Sequence, residues 1–454
     1  MPRSRRGALH EWQGDKGGTV TTRKLALGID VGTSGVRIAA LDEDGRLVAE
    51  ASAAIPPPDR EGASIRQDAD IWWRATLAAF DALRGKLDLS AVAAIAVDGT
   101  SGTILPVDRG GAPLAQARLY NDASAVGTAN GLVAFAPKET AALGATSPLA
   151  RAIELKSTPG LWKIVHQADW IVGRLSGDFG ISDESNALKS GYDPVARRWP
   201  DWIAAAGLDL ELLPQIFPVG SNIGILASDA ARDLGLPAGA SIIAGATDGC
   251  AAFLATGAAD PGDGVTSLGS TLTIKLLSQT PVFAPEFGIY SHRIGDMWLA
   301  GGASNSGGAV LAAFFPPDRM AALEPLLIPQ TPTGLDYYPL LAPGERFPVS
   351  DPDFAPRMSP RPAEDHVFLQ GLLEGIATIE ALGYARLSEL GATPLRSVRT
   401  VGGGAANRAW TLIRQRLLGV PMAGAEALQA AVGAAKLAWS GIRAGAGPQP
   451  PVKP

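Results

Sequence analysis

Apolar and polar positions alternate through residues 24–55: Leu25, Leu27 and Ile29 share one parity, residues 36–41 are apolar again, and the pattern returns over 47–55. Small-residue turns at 32–35 and 42–45 separate the three runs, which predicts three strands joined by two tight turns. Residues 70–87 then place Ile71, Trp72, Leu77, Phe80 and Leu83 at helical spacing, so a helix of several turns is expected. The short apolar run 91–97 ends at Asp98 and reads as a buried strand. A βββαβ opening of this kind argues for an α/β layered domain.

Between 148 and 241 the chain is punctuated by Trp and Pro, and residues 160–175 look helical and irregular by turns. Beyond 241–245 the logic of the opening returns. A helix over 249–256 precedes a strand-turn-strand over 265–277, whose turn is Leu268-Gly269-Ser270-Thr271. Two hairpins with small-residue tips, one in each half, predict a duplicated architecture in which related domains face each other. Residues 329–361 are Pro-rich and expected to form a surface excursion, whereas 367–390 and 398–418 read as helix, strand, glycine turn, helix. Residues 444–454 are expected to fray.

The length of 454 residues suits two large domains or about three ordinary ones. With 46% hydrophobic and 19% charged residues, folding is expected through most of the chain. A net charge of −6, from 39 Lys+Arg against 45 Asp+Glu, argues against a nucleic-acid partner. One cysteine, Cys250, permits no intrachain disulfide, and the four histidines are too scattered for a zinc site. A reducing, cytoplasmic location is expected on that ground. The uncharged stretch 297–317 is long enough to test as a membrane span, but Gly-Gly-Ala-Ser-Asn-Ser-Gly-Gly interrupts it and excludes one. Residues 1–23 begin Arg-rich with no apolar run behind, so they read as a disordered extension rather than a secretory signal.

Five segments can carry chemistry. Gly28-Ile-Asp-Val-Gly-Thr-Ser-Gly35 delivers the Asp30 carboxylate from a strand into a turn of Gly, Thr and Ser. Successive N–H groups in such a turn can cradle an anion, with Asp30 holding magnesium near its phosphates; a plain self-satisfied hairpin explains the same residues. Leu268-Gly-Ser-Thr271 sits in the matching place of the other half and gains weight from that pairing. Ala244-Gly-Ala-Thr-Asp-Gly249 puts Asp248 where a strand passes into a helix, which suits a general base or an N-cap. Val97-Asp-Gly-Thr-Ser-Gly-Thr103 ends a strand with small polar residues able to face a hydroxylated ligand. Val401-Gly-Gly-Gly-Ala-Ala-Asn407 lets a flat base or ribose approach the backbone, or serves packing. P-loop, dinucleotide-fold and nucleophile-elbow motifs are all absent. Cys250 reads as a buried structural thiol, and the tryptophans read as packing residues.

Taken together, Leu27-Gly-Ile-Asp-Val-Gly-Thr-Ser-Gly-Val-Arg37, Val97 to Thr103, Gly245-Ala-Thr-Asp-Gly249, Thr266-Ser-Leu-Gly-Ser-Thr271 and Thr400 to Asn407 resemble, in order, the FGGY family of carbohydrate kinases. That family belongs to the wider superfamily of actin, Hsp70 and hexokinase-like ATPases. The resemblance implies an α/β fold of two ribonuclease-H-like domains flanking a catalytic cleft. An N-terminal domain at 24–248 would bind sugar and supply the base, and a C-terminal domain at 249–445 would bind ATP. The extension 1–23 and a flexible tail at 446–454 would flank them. By the same resemblance Asp248 takes the proton of the attacking hydroxyl, and Asp30 associates with Mg²⁺ and the transferring phosphate beside Thr33. Gly269, Ser270 and Thr271 would hold the phosphate tail, and Gly402, Gly403, Gly404 and Asn407 would border the adenosine. The Gln-Met-His loop of a typical xylulokinase and the Asn-Gln-Arg-Glu pattern of glycerol kinase are both missing. The Asp-Gly-Thr-Ser-Gly-Thr version, with Tyr120-Asn-Asp122 after it, is most similar to the xylulokinase-like D-ribulose kinases of cyanobacteria and plants. D-ribulose, phosphorylated at O5 and touched by Asp30, Ser101 and Asp248, is therefore the expected acceptor, with D-xylulose or another polyol as the alternative. The expected partners are ATP and a small sugar, without nucleic acid or membrane, for a monomer or homodimer. A nucleotide switch of the actin or Hsp70 kind and a silent sugar-binding regulator are the competing classes.

Overall fold

Strand β1 (Leu25–Val31) is buried along its whole length, and its two faces differ in size. Leu25, Leu27, Ile29 and Val31 enter one core cluster, while Ala26 enters another on the opposite face. β1 pairs antiparallel with β2 (Gly35–Leu41), and β2 with β3 (Leu47–Ala54), as the alternation predicts. Helix α1 (Asp70–Arg84) covers the large-residue face through Trp72, Phe80 and Leu83. Strand β4 (Val92–Gly99) then lies parallel to β1, and β6 (Ser241–Thr247) parallel to β4. With β5 (Asn222–Ile225) at the edge, the first sheet runs β5-β6-β4-β1-β2-β3. This computed structural model describes residues 23–443 and Gly445. The expected tail, and the expected extension apart from Arg23, lie outside the described residues.

The second half repeats the plan. Strands β7 (Asp263–Leu268), β8 (Leu272–Ser278), β9 (His292–Ile294), β10 (Met297–Ala303), β11 (Ser397–Val401) and β12 (Met422–Ala423) form the order β9-β10-β8-β7-β11-β12. Apart from one antiparallel edge strand in each, β5 and β9, both sheets set three antiparallel strands beside two parallel ones. Helices match too. α1 corresponds to α5 (Asp365–Glu389), α2 (Gln167–Ser176) to α6 (Arg408–Leu418), and α3 (Asp248–Ala255) to α7 (Ala430–Arg443). The hairpin likeness seen in a few residues is thus a likeness of whole sheets, and the fold is the expected two-part ribonuclease-H-like α/β architecture.

α7 returns to the first sheet. Its Ala431, Ala434, Ala435 and Ala438 share a core with Ala26, Ala94, Ala96 and Ile243. Approach is so close that a Cβ on Gly28 would lie 1.9 Å from the Ala431 carbonyl oxygen, and one on Gly433 1.8 Å from that of Ala251 in α3.

Two expectations change. Residues 329–361 are irregular but no surface excursion: Tyr337, Tyr338, Leu340 and Phe347 are buried in the second half's core. Prolines deny the segment a strand ladder without preventing its aromatic residues from packing. The mixed character of 160–175 resolves at His166, where a strand, Lys163–His166, gives way to α2. The stretch 297–317 becomes β10 and α4 (Gly308–Phe314), and no described helix is long and apolar enough to cross a membrane.

Candidate active site

Because β1, β4 and β6 are parallel neighbours, their C-terminal ends share one rim of the sheet. Register sets Asp30 opposite Asp98 and Thr247 opposite Gly99, and Asp248 follows as the first residue of α3. Three carboxylates distant in sequence meet there. Thr247, not Asp248, is the N-cap residue; Asp248 Oδ1 instead accepts the N–H of Gly249 at 2.6 Å.

The three acids differ in environment. Asp98 is fully buried, and as a carboxylate neither oxygen would have a donor. Burial first, then the charges of Asp30 and Asp248, hold its pKa well above the ordinary carboxylate value. A proton held there is shared with Asp30, and that hydrogen bond lowers the Asp30 pKa. Burial also raises Asp30, opposed mainly by Arg37, which sits across the β1–β2 ladder and donates to Asp30 Oδ2 at 3.2 Å. Asp248 is raised by burial, against the Lys275 ammonium and the Gly249 N–H.

Two cavities meet at Asp248. The larger, of about 650 Å³, is lined by Asp30, Thr33, Arg37, Ser101, Asp248 and the start of α7 at Ala430. A smaller one of about 260 Å³ shares Ser101 and Asp248 and lies against β8 and β10. The Ser101 hydroxyl is buried without a partner among the described residues, whereas Thr100 is committed to Thr103 and Gln167, both at 2.6 Å.

The remaining predicted residues gather elsewhere. Gly269, Ser270 and Thr271 form the β7–β8 turn, and the parallel pairing of Ser267 with Val401 brings residues 402–404 beside it. Gly402 has φ +86°, and a Cβ there would lie 2.8 Å from the Leu268 carbonyl oxygen; Gly403 faces open space. A Cβ on Gly404 would strike Trp410 at 2.6 Å. Asn407 caps α6, its Oδ1 accepting the Trp410 N–H at 2.7 Å. The N–H groups of Gly308 and Ala309, opening α4, donate to the carbonyls of Gly269 and Ser270. None of these residues lines either cavity beside Asp248. Asp30, Thr33, Ser101 and Asp248 are brought together; the glycine-rich set forms a second group on the second sheet.

Sequence reasoning passed over Arg37, Lys189, Lys275 and His292 as site residues. Arg37 stands inside a quoted motif, and pairing across the first hairpin would have placed it against Asp30. The other three lie in segments without a motif, and only the meeting of the halves exposes them at one cavity.

Residues 25–141 match the model of the N-terminal domain of the FGGY family of carbohydrate kinases, and residues 264–441 that of its C-terminal domain. The chain belongs to the FGGY family of carbohydrate kinases. Relatives include the autoinducer-2 kinase of Yersinia enterocolitica, 27% identical over 450 residues covering 89% of this chain and 83% of that one. The xylulose kinase of Escherichia coli is 26% identical over 412 residues, covering 85% and 83%. Among solved structures, the xyloylose kinase of Brucella ovis superposes with a TM-score of 0.82 at 25% identity, covering 93% and 91%. This FGGY protein is an ATP-dependent sugar kinase, a phosphotransferase whose acceptor is a sugar hydroxyl. The nucleotide-switch and silent-regulator readings give way to it.

Proposed function

We propose that this kinase phosphorylates a pentulose, converting D-ribulose to D-ribulose 5-phosphate. The observation that carries the reading is the shared wall of the two cavities. Asp248 and the unpartnered Ser101 hydroxyl stand between a large cavity holding Asp30 and a small one sized for a short carbon chain. Asp248 accepts the O5 proton as that oxygen attacks the γ-phosphorus of ATP; the bond from phosphorus to the ADP oxygen breaks, and ADP leaves. Ser101 and Asp30 hold the sugar in line. Residues 24–248 present acceptor and base, while 249–445 present the nucleotide, with Gly269, Ser270 and Thr271 at its phosphates and Gly402, Gly403, Gly404 and Asn407 beside its adenosine.

Kinases of this family use ATP with Mg²⁺. Among the described residues no cluster of three or more His, Cys, Asp or Glu could enclose a metal. The buried Asp30 carboxylate facing the larger cavity beside Thr33 fits a hard cation held mostly by phosphate oxygens and water. Asp30 would hold the ion, whose charge offsets that of the phosphates. Asp98, protonated, donates to Asp30 and leaves its charge on the cavity side.

A coupled assay of ADP release with ATP and Mg²⁺ across D-ribulose, D-xylulose, L-ribulose, glycerol and D-gluconate tests this. Turnover highest on D-ribulose is expected. Preference for D-xylulose, which the names of the Escherichia and Brucella relatives favour, would replace the acceptor; ADP release indifferent to any acceptor would overturn the pentulose reading.

A further inference from the structure

The smaller cavity carries groups that proton transfer from the acceptor does not use. Lys189 and Lys275 both line it, with His292 and Ser101. Lys275 Nζ reaches across from β8 to donate to the Gly249 carbonyl. A Cβ on residue 249 would lie 2.7 Å from that amine, so glycine keeps the space open for it. Lys189 makes no hydrogen bond or ion pair with the described residues, and its ammonium stands 5.7 Å from the Tyr290 ring centre. His292 Nδ1 pairs with Ser185 Oγ at 3.1 Å; burial, followed by the two lysines, lowers its pKa to about 3, so the ring is neutral. The Asp248 charge opposes that lowering.

We infer that this cavity receives the carbonyl end of an open-chain ketose, and that Lys189 is the residue selecting a ketone over an alcohol there. The inference rests on the kinase reading above and deepens it. Ammonium groups donate hydrogen bonds and accept none. A ketone oxygen offers two lone pairs and no proton, so it satisfies both lysines at once. A hydroxyl accepting from both must also find an acceptor for its own proton, and the carboxylate at hand, Asp248, is engaged by O5 in the proposed reaction. Sites built around one hydrogen-bonding group discriminate against the analogue that lacks it.

The test compares wild-type enzyme, Lys189→Met and Lys189→Arg, measuring KM for D-ribulose and the inhibition constant of ribitol, which has the same skeleton with an alcohol at carbon 2. Lys189→Met is expected to raise KM for D-ribulose on the order of 10- to 100-fold while the ribitol constant stays within about twofold. Lys189→Arg, which keeps a charged donor, should recover most of the loss. KM and inhibition constant rising together, or neither rising, would overturn the inference. If the wild-type enzyme prefers D-xylulose, the same comparison against xylitol decides the role of Lys189, and the D-ribulose assignment alone fails. Turnover of alditols with none of any ketose would overturn both.

Discussion

Asp248 and Asp30 stand in motifs whose neighbours already suggest chemistry, so they are legible in the sequence; what a fold adds is their charge state. On the proposed assignment Asp248 acts as a carboxylate, so turnover should be lost as pH falls through its pKa. Burial holds that value above the 3.8 of a free aspartate, and Lys275 is the largest influence opposing the rise. Lys275→Met should therefore move the acidic limb of kcat/KM to higher pH, and an unmoved limb in matched pH profiles would count against the assignment of the base. Asp98 behaves differently, because its folded pKa is raised well above 3.8. Its contribution to stability is complete below about 3.8 and is lost as pH rises toward the folded value. Asp98→Asn does not titrate, so its melting temperature should gain on that of the wild-type protein between pH 4 and pH 8. A constant difference across that range would show that Asp98 ionises freely.

At the scale of elements, the small faces matter more than the large ones. Leu25, Leu27 and Ile29 announce β1 by their alternation, but Gly28 between them looks like an ordinary turn-proximal glycine until α7 lies against it. A Cβ there would meet three backbone atoms of α7, the farthest at 2.9 Å. Backbone cannot give way as a side chain can, so Gly28→Ala should destabilise the protein by about 3 kcal/mol, the upper end of overpacking costs. Denaturant unfolding measures it, and a loss under about 1 kcal/mol would mean that α7 is loosely seated. The same reasoning explains which parts of the site were readable. Hairpins, α1, α3 and the glycine turn before α6 depend on local sequence and were foreseen. The Asn407 cap is equally local, an Asn just ahead of a helix, whereas the buried residues of 329–361 depend on what packs against them, which no local pattern encodes. Asn407 and Gly404 already have structural employment, so their place beside the adenosine rests on the family likeness and not on an unused side chain.

For the whole molecule, the boundary drawn near residue 248 separates motifs more cleanly than it separates cores. α7 arises from the second half, yet it covers the small-residue face of the first sheet, and Ala26, Ala94, Ala96 and Ile243 share its core. A fragment ending at Ala255 keeps α3 on that face, through Cys250 and Phe253, and loses the larger α7 cover. With α1 and α2 on the large-residue face and α3 alone on the small one, one of the two layers an α/β sheet needs is incomplete. The fragment 23–255 should therefore bind a hydrophobic dye and melt without cooperativity, whereas the same fragment with residues 425–445 appended through a flexible linker should regain a sigmoidal transition. Cooperative melting of the unextended fragment would show that the first half folds alone. The consequence reaches the chemistry, because the start of α7 at Ala430 lines the same cavity as Asp30 and Asp248. Lys275 meets Gly249 across the same junction. On the proposed division, with nucleotide on the second half and acceptor on the first, the two are joined through an element that also completes the first core, and the cavity holding Asp30 and Asp248 needs the second half present before it is in order.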